Sequence, residues 1–363
     1  MSYPFDPKEL NIVDRAMNFR RSVPGKPVFD FPVTAREALL SLYRKGQGVW
    51  TPYGVETAVF CPSIIPDNIA RGFVFEAEKW PDPYTTHDDM FGINWTFVPQ
   101  VGGSMETPGF PHLFEDVNEW KEKLKMPDPY SWDWDGSARL NNEFLKNNGK
   151  ANYFWFLNGF TFERLISFMG FENAAMALLD EDQEDALHEM LEALGDLGIK
   201  IMDCAMEAYG DGIQGFEYHD DWGSQMAPFF SFAAGETFFV PIWKRLTSHA
   251  KSKGRIASLH SCGHTEKQIE NYIAGGWDCW TPMAMNDTAK LYDEYGDRIV
   301  IAVVADDVPE GATEEEQYEA GKKFAERYCK PGKVASFSLY SSPSVMTDAY
   351  AKGLYETSRK ILA

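Results

Sequence analysis

Phe216-Glu-Tyr-His-Asp-Asp-Trp-Gly-Ser-Gln225 and, further along, Ser258-Leu-His-Ser-Cys-Gly-His264 decide how this chain is read. Each stretch reads as a β-strand that ends in a burst of ionisable side chains. In the second, His260 and Cys262 are two positions apart, so in an extended chain both side chains leave the same face. An imidazole and a thiol aimed at one point suit a soft divalent cation, usually zinc. In the first, His219, Asp220 and Asp221 crowd an imidazole and two carboxylates together, with Glu217 on the same strand face as His219. Such crowding separates carboxylate pKa values for acid–base work. The plainer reading stands beside it: H-x-C alone is a weak metal motif, and His-Asp-Asp is more often a helix cap or a solvated loop. The shared position at strand ends, where α/β enzymes keep their chemistry, favours the functional reading.

Outward from these two stretches the C-terminal half alternates. Strands are expected at Asn152–Leu157, Ile213–Tyr218, Arg255–Leu259, Trp277–Trp280, Arg298–Val304 and Val334–Leu339. Helices lie between them, with capping boxes at Thr265/Gln268 and Thr313/Glu316. Leu187, Met190, Leu191, Leu194, Leu197, Ile201 and Cys204 form one helical stripe, which makes Cys204 a core thiol. The segment Phe162–Leu179 reads as a helix in two pieces around Gly170. Strand and helix in turn indicate a parallel sheet, and with weaker strand candidates upstream the expectation is an α/β fold, a (β/α)8 TIM barrel with an irregular N-terminal extension. No Gly-rich phosphate loop follows a strand, which weakens a dinucleotide-binding fold.

Residues 1–130 are punctuated by proline. They are expected to be irregular, wrapping the barrel, with one helix around Thr34–Lys45 and short strands at Val28–Phe31, Phe73–Glu76 and Ile93–Val98. The Gly102–Pro111 segment is a candidate lid. Residues 131–363 hold the main part of a single barrel domain.

The chain of 363 residues carries a net charge of −21, which argues against a nucleic-acid partner. Its 5 cysteines, at 61, 204, 262, 279 and 329, do not form a disulfide framework. No stretch is apolar enough to cross a membrane or serve as a secretion signal, so the reading is a cytoplasmic protein with reduced thiols. Aromatic residues are abundant, with 11 Trp, 16 Tyr and 26 Phe, enough to line a pocket for a flat organic ligand as well as a core.

Several words in this order resemble the uroporphyrinogen decarboxylase superfamily: Asn158-Gly-Phe-Thr161 with Met169-Gly170, Asp220-Asp-Trp-Gly-Ser-Gln225, His260-Ser-Cys-Gly263 and Gly311-Ala-Thr-Glu-Glu315. They cover roughly residues 150 to 345, and the resemblance implies a single (β/α)8 barrel. The superfamily holds decarboxylases, whose N-terminal arginine-rich signature is missing here (Arg20-Arg21 is a poor substitute), and corrinoid-dependent methyltransferases. The zinc members of the second branch carry His-x-Cys, matched by His260 and Cys262, and a third cysteine near the last strand. That position reads Tyr340-Ser-Ser-Pro-Ser344, so the resemblance implies a zinc site completed by a carboxylate such as Glu217, or one that is lost.

The function implied is transfer of a methyl group from a methylated small molecule, such as an aromatic methyl ether, to the cobalt of a separate corrinoid protein. A decarboxylase of a tetrapyrrole or carboxylated aromatic, and a non-catalytic ligand-binding barrel, are the alternatives. The residues expected to act are Asp220, Asp221, His219 and His260 in catalysis, and His260, Cys262 and Glu217 on the metal. Asn158, Tyr218, Trp222, Trp280 and Asp306 are expected at the substrate, with Phe216 and Trp277 as further ring-holding candidates. Asn158, Asp220, Asp221, His260 and Asp306 are expected together at the C-terminal mouth of the barrel.

Overall fold

The structure, a computed structural model, describes residues 3–16, 25–67, 82, 84–100 and 103–363, without the side chains of residues 45 and 156–158. Its strands in chain order are β1 (Ile12–Ala16), β2 (Lys26–Phe29), β3 (Thr57–Phe60), β4 (Thr86–Asp88), β5 (Asn94–Val98), β6 (Gly103–Glu106), β7 (Ala151–Asn158), β8 (Gly215–His219), β9 (Ile256–Ser261), β10 (Cys279–Pro282), β11 (Val300–Val303), β12 (Cys329–Lys330), β13 (Lys333–Val334) and β14 (Ser336–Phe337). The helices are α1 (Ala35–Lys45), α2 (Trp120–Lys123), α3 (Trp134–Asn147), α4 (Phe162–Met169), α5 (Phe171–Ala177), α6 (Glu184–Tyr209), α7 (Phe232–Ala234), α8 (Val240–Ser252), α9 (Ile269–Ala274), α10 (Thr288–Tyr295), α11 (Glu314–Tyr328) and α12 (Asp348–Leu362). The chain is mixed α/β, and it divides into two compact units. One comprises Val59–Asn148 and Asn152–Trp277; the other comprises Met1–Ala58, Gly149–Ala151 and Asp278–Ala363.

In the unit around Val59–Trp277, β7, β8 and β9 pair in parallel. Short runs rich in aromatic and apolar residues make these strands, and helices return the chain between them, as parallel pairing requires. The strand expected to stop at Leu259 runs on to Ser261, because His260 is still in register opposite His219. Helix α6 buries its expected stripe, including Leu187, Leu191, Leu194 and Ile201, and Cys204 lies buried on it. Helices α4 and α5 are separated at Gly170, as the sequence suggested.

The capping box expected at Thr265 and Gln268 does not form. Gln268 is buried and its amide is used elsewhere, donating to the Phe230 carbonyl at 3.2 Å and accepting from Asn271 at 2.7 Å. The chain therefore opens with a 3-10 turn at Glu266–Gln268 before α9.

The first part of this unit forms a small antiparallel sheet, β4-β5-β6. It is tied to α4 by Arg164, whose guanidinium lies 2.7 Å from both Asp67 and Asp89 with all three side chains at 1 % exposure or less. Asp89 also accepts from the Phe91 and Ile93 amides and the Trp95 indole. A buried ion pair that is fully hydrogen-bonded in this way is costly to break from either end. Gly103–Glu106 of the candidate lid is thus the edge strand of a hairpin, while Gly102 and the Phe73–Glu76 strand lie outside the described residues.

In the other unit β10, β11 and β14 pair in parallel, and β1 and β2 form an antiparallel ladder. The capping boxes at Thr34/Glu37 and Thr313/Glu316 are both present and open α1 and α11. The C-terminal helix α12 is joined to the N-terminus through Arg359, which donates to Glu9 at 2.8 and 3.0 Å in a buried pair. Among the described residues no helix is long and apolar enough to cross a membrane.

Candidate metal centre

Strand parity sorts the expected site residues into two groups. Along β8, Glu217 and His219 share one face, while Phe216 and Tyr218 point to the other and pack among helices. Phe216 stacks edge-on against Phe154, and the Tyr218 hydroxyl donates to the sulfur of Met202 at 3.2 Å. Trp222 is fully buried, stacked on Trp243 with ring centroids 4.1 Å apart. Tyr218 and Trp222, expected at the substrate, are therefore core side chains. Trp277 is buried against Tyr218 and Trp243. Trp280 is buried in the other unit, and Asp306 lines a separate cavity there. The backbone of Asn158 pairs opposite His219 at the end of β7, but its side chain lies outside the described residues.

The two neighbouring carboxylates at the end of β8 have different work. Asp220 is 1 % exposed and turns back onto the N-terminus of α4. It accepts from the backbone N–H groups of Phe160, Thr161, Phe162 and Glu163 at 3.1–3.2 Å. The Thr161 hydroxyl and the Trp222 indole, at 2.9 Å, donate to it as well. These are the orphan amides that every helix start must satisfy, and the helix dipole favours an anion there. Burial pushes the Asp220 carboxyl upward against these donors. The cap foreseen for this pair is Asp220, on the preceding helix, rather than Asp221.

Asp221, one residue on, faces the opposite way. Its Oδ1 accepts from the Cys262 amide at 2.7 Å and lies 3.3 Å from Nε2 of His219. Nε2 of His260 is 3.2 Å from Sγ of Cys262. Together His219, Asp221, His260 and Cys262 place four ligand atoms within 4.8 Å of one another. Two imidazole nitrogens, one thiolate and one carboxylate oxygen form a donor set suited to zinc, which takes three or four such ligands. Glu217 lies outside this group; it is buried, bonded by Ser258, and burial pushes its carboxyl up to about 7.

The shell behind these ligands is formed by Glu163 and Trp155, which no motif in the sequence marks. Glu163, in the first turn of α4, has its Oε2 3.1 Å from Nδ1 of His219. A carboxylate on the far nitrogen is the usual way a ligating histidine is fixed in tautomer and orientation. Trp155 of β7 stacks on the His219 ring at 5.6 Å, and the His260 ring lies 5.2 Å away on the other strand neighbour. Glu163 stands in the turn after the Asn158-Gly-Phe-Thr161 word, a position that could have flagged it; nothing local distinguishes Trp155 from core.

Burial opposes a charged His219, yet Asp221 and Glu163 overcome it and raise its pKa well above the ordinary value. The negative field that favours a second proton on that ring is the field that favours a divalent cation. Burial pushes the Cys262 thiol up to about 11, so in the metal-free cluster it is held as a neutral thiol. A ligating thiol loses its proton to the metal.

Two glycines make the cluster sterically possible. Gly263 has φ +93°, and a Cβ there would come within 2.2 Å of the Gly223 carbonyl oxygen, so only glycine lets the loops after β8 and β9 touch. Gly159 has φ +72°, and a Cβ there would press on the Glu163 side chain at 2.9 Å. Its amide donates to the His219 carbonyl at 3.0 Å, and its own carbonyl accepts from Arg164 Nε at 3.0 Å. Compared with known protein families and with curated proteins, the chain matches none.

Proposed function

We propose that this chain is a zinc-dependent methyltransferase that moves a methyl group from a methylated small molecule to the cobalt of a separate corrinoid protein, on a closed (β/α)8 barrel. The observation that carries the reading is the convergence of His219, Asp221, His260 and Cys262 at adjacent strand ends. His260 and Cys262 are the pair that resembles the zinc methyltransferases, and the missing third cysteine is offset by two ligands from β8 and the loop after it.

In such a transfer the methyl carbon–oxygen bond breaks as the cobalt–carbon bond forms from the electron pair on reduced cobalt. The oxygen leaves with the bonding pair and takes up a proton. A phenolic oxygen has a conjugate acid of pKa about 10, so it needs an acid or Lewis acid beside it. An ion bound among these residues, with one coordination position left to the leaving oxygen, would supply that Lewis acidity. The Glu163 carboxylate, 3.1 Å from Nδ1, favours by its charge the His219 orientation that directs Nε2 to the ligand side. Trp155 covers the outer face of the His219 ring and limits water there. Asp220 serves as the anchor of α4 and so of Glu163, not as the proton donor.

The test is methyl transfer from a panel of methoxylated aromatics and methylamines to a reduced corrinoid protein, with and without zinc. Transfer that requires both the corrinoid protein and the ion supports the reading. Loss of CO2 from a carboxylated aromatic with neither present would instead favour the decarboxylase.

A further inference from the structure

A cavity of about 670 Å3 lies in the unit that contains α11 and α12, between the loop after β11 and those two helices. Its wall carries Phe324, Tyr328 and Tyr350. Tyr350 is 2 % exposed; its backbone N–H is bonded to Thr347, but its hydroxyl has no hydrogen-bond partner among the described residues. A side chain this deeply buried that lines a cavity and whose hydroxyl makes no protein hydrogen bond can give or take one with a ligand there.

The rim is acidic. Glu316 is occupied in the α11 capping box and Glu319 pairs with Lys322, whereas Asp306, Asp307 and Glu315 make no ion pair among the described residues. Lys323 also lines the cavity, and Arg327 is engaged with Asp293 at 3.1 Å. The unpaired carboxylates therefore outnumber the available base. The aromatic wall already accepts a cation, since the Arg327 guanidinium lies 5.2 Å over the Tyr328 ring. Asp306, Tyr328 and Tyr350 line this one cavity, so acid and hydroxyl address one space.

We infer that this cavity binds a small organic ammonium ion with an apolar body. The ammonium N–H groups donate to Asp306 and to the lone pairs of the Tyr350 hydroxyl, and the apolar body lies on Phe324 and Tyr328. A primary or secondary amine satisfies both acceptors at once; a neutral alcohol of the same shape leaves the carboxylates uncompensated. The inference is independent of the metal centre, whose residues belong to the other unit.

Calorimetric titration of the full chain with 2-phenylethylammonium tests it, with 2-phenylethanol as the neutral isostere and phenylacetate as the anion. The ammonium is expected to saturate one site at least about tenfold more tightly than the alcohol, with no binding of the anion. Asp306→Asn and Tyr350→Phe should each weaken it about tenfold, the worth of one hydrogen bond to a charged partner. Both changes keep shape: Asp306 is exposed, and phenylalanine retains the ring contact of Tyr350 with Phe337. Equal binding of the alcohol, no saturable binding of the ammonium, or unchanged affinity in both variants overturns the proposal.

Discussion

Oε2 of Glu163 lies 3.1 Å from Nδ1 of His219, on the side of the ring away from Asp221. This contact joins the first turn of α4 to the end of β8 and makes the orientation of a ligand depend on a helix. Glu163→Gln keeps the size of the side chain and removes its charge. It is expected to weaken zinc binding by about 10- to 100-fold while leaving thermal stability nearly unchanged. Competition with a chromogenic chelator measures the first, and a melting curve the second.

Asp220 and Asp221 are adjacent in sequence and should separate cleanly in experiment. Asp220→Ala strips the acceptor from four backbone amides and two side chains at the start of α4. It is expected to cost about 2–4 kcal/mol in denaturant unfolding. Asp221→Ala, at a partly exposed position, should change stability by less than about 1 kcal/mol and instead lower metal affinity.

Gly263→Ala introduces a methyl group 2.2 Å from the Gly223 carbonyl oxygen at a backbone angle that disfavours side chains. A destabilisation of about 2–4 kcal/mol is expected, with loss of the cluster geometry. Comparison with Gly311→Ala, also at positive φ but with open space around it, isolates the clash from the strain.

Acid stability should report on the Glu9–Arg359 pair. Burial raises the Glu9 pKa, but the hydrogen bonds from Arg359 and Tyr355 outweigh it and leave the carboxyl below its ordinary value. A carboxylate lowered on folding stabilises the fold above its unfolded pKa, near 4.5, and that contribution is lost as pH falls through the lower folded value. Wild type should therefore exceed Glu9→Gln by about 1–3 kcal/mol at neutral pH, and the gap should close below about pH 4.5. Urea unfolding at several pH values follows it.

Much of this arrangement was legible in the residues, because strand ends and helix caps are local. The alternation of β7, β8 and β9 with helices, the Gly170 break, the helix after Thr34 and the capping box at Thr313 are set by spacing and by short-range hydrogen bonding. The pairing of His260 with Cys262 is a two-residue relation, and extended backbone carries it. What spacing cannot say is which way a residue turns once a strand has ended. Asp220 and Asp221 look alike in sequence, and the difference is made by α4, whose free amides take one of them.

Long-range partners were hidden for the same reason. Arg164 finds Asp67 and Asp89 across a large stretch of chain, and no local pattern marks any of the three as a clamp. Aromatic residues beside such a motif suggest pocket walls, yet Tyr218 and Trp222 alternate onto the helix side and complete the core. Trp155, which does face His219, sits in an apolar run that reads as core throughout.

The central claim is that His219, Asp221, His260 and Cys262 bind one metal ion that methyl transfer requires. Metal analysis of purified protein after dialysis against trace zinc, for wild type and Cys262→Ala side by side with corrinoid methylation, tests it most directly. The account predicts about one zinc per chain in wild type, with zinc and methylation lost together in Cys262→Ala. A wild type that remains metal-free while transferring methyl groups at full rate, or a Cys262→Ala variant that keeps both, would contradict it.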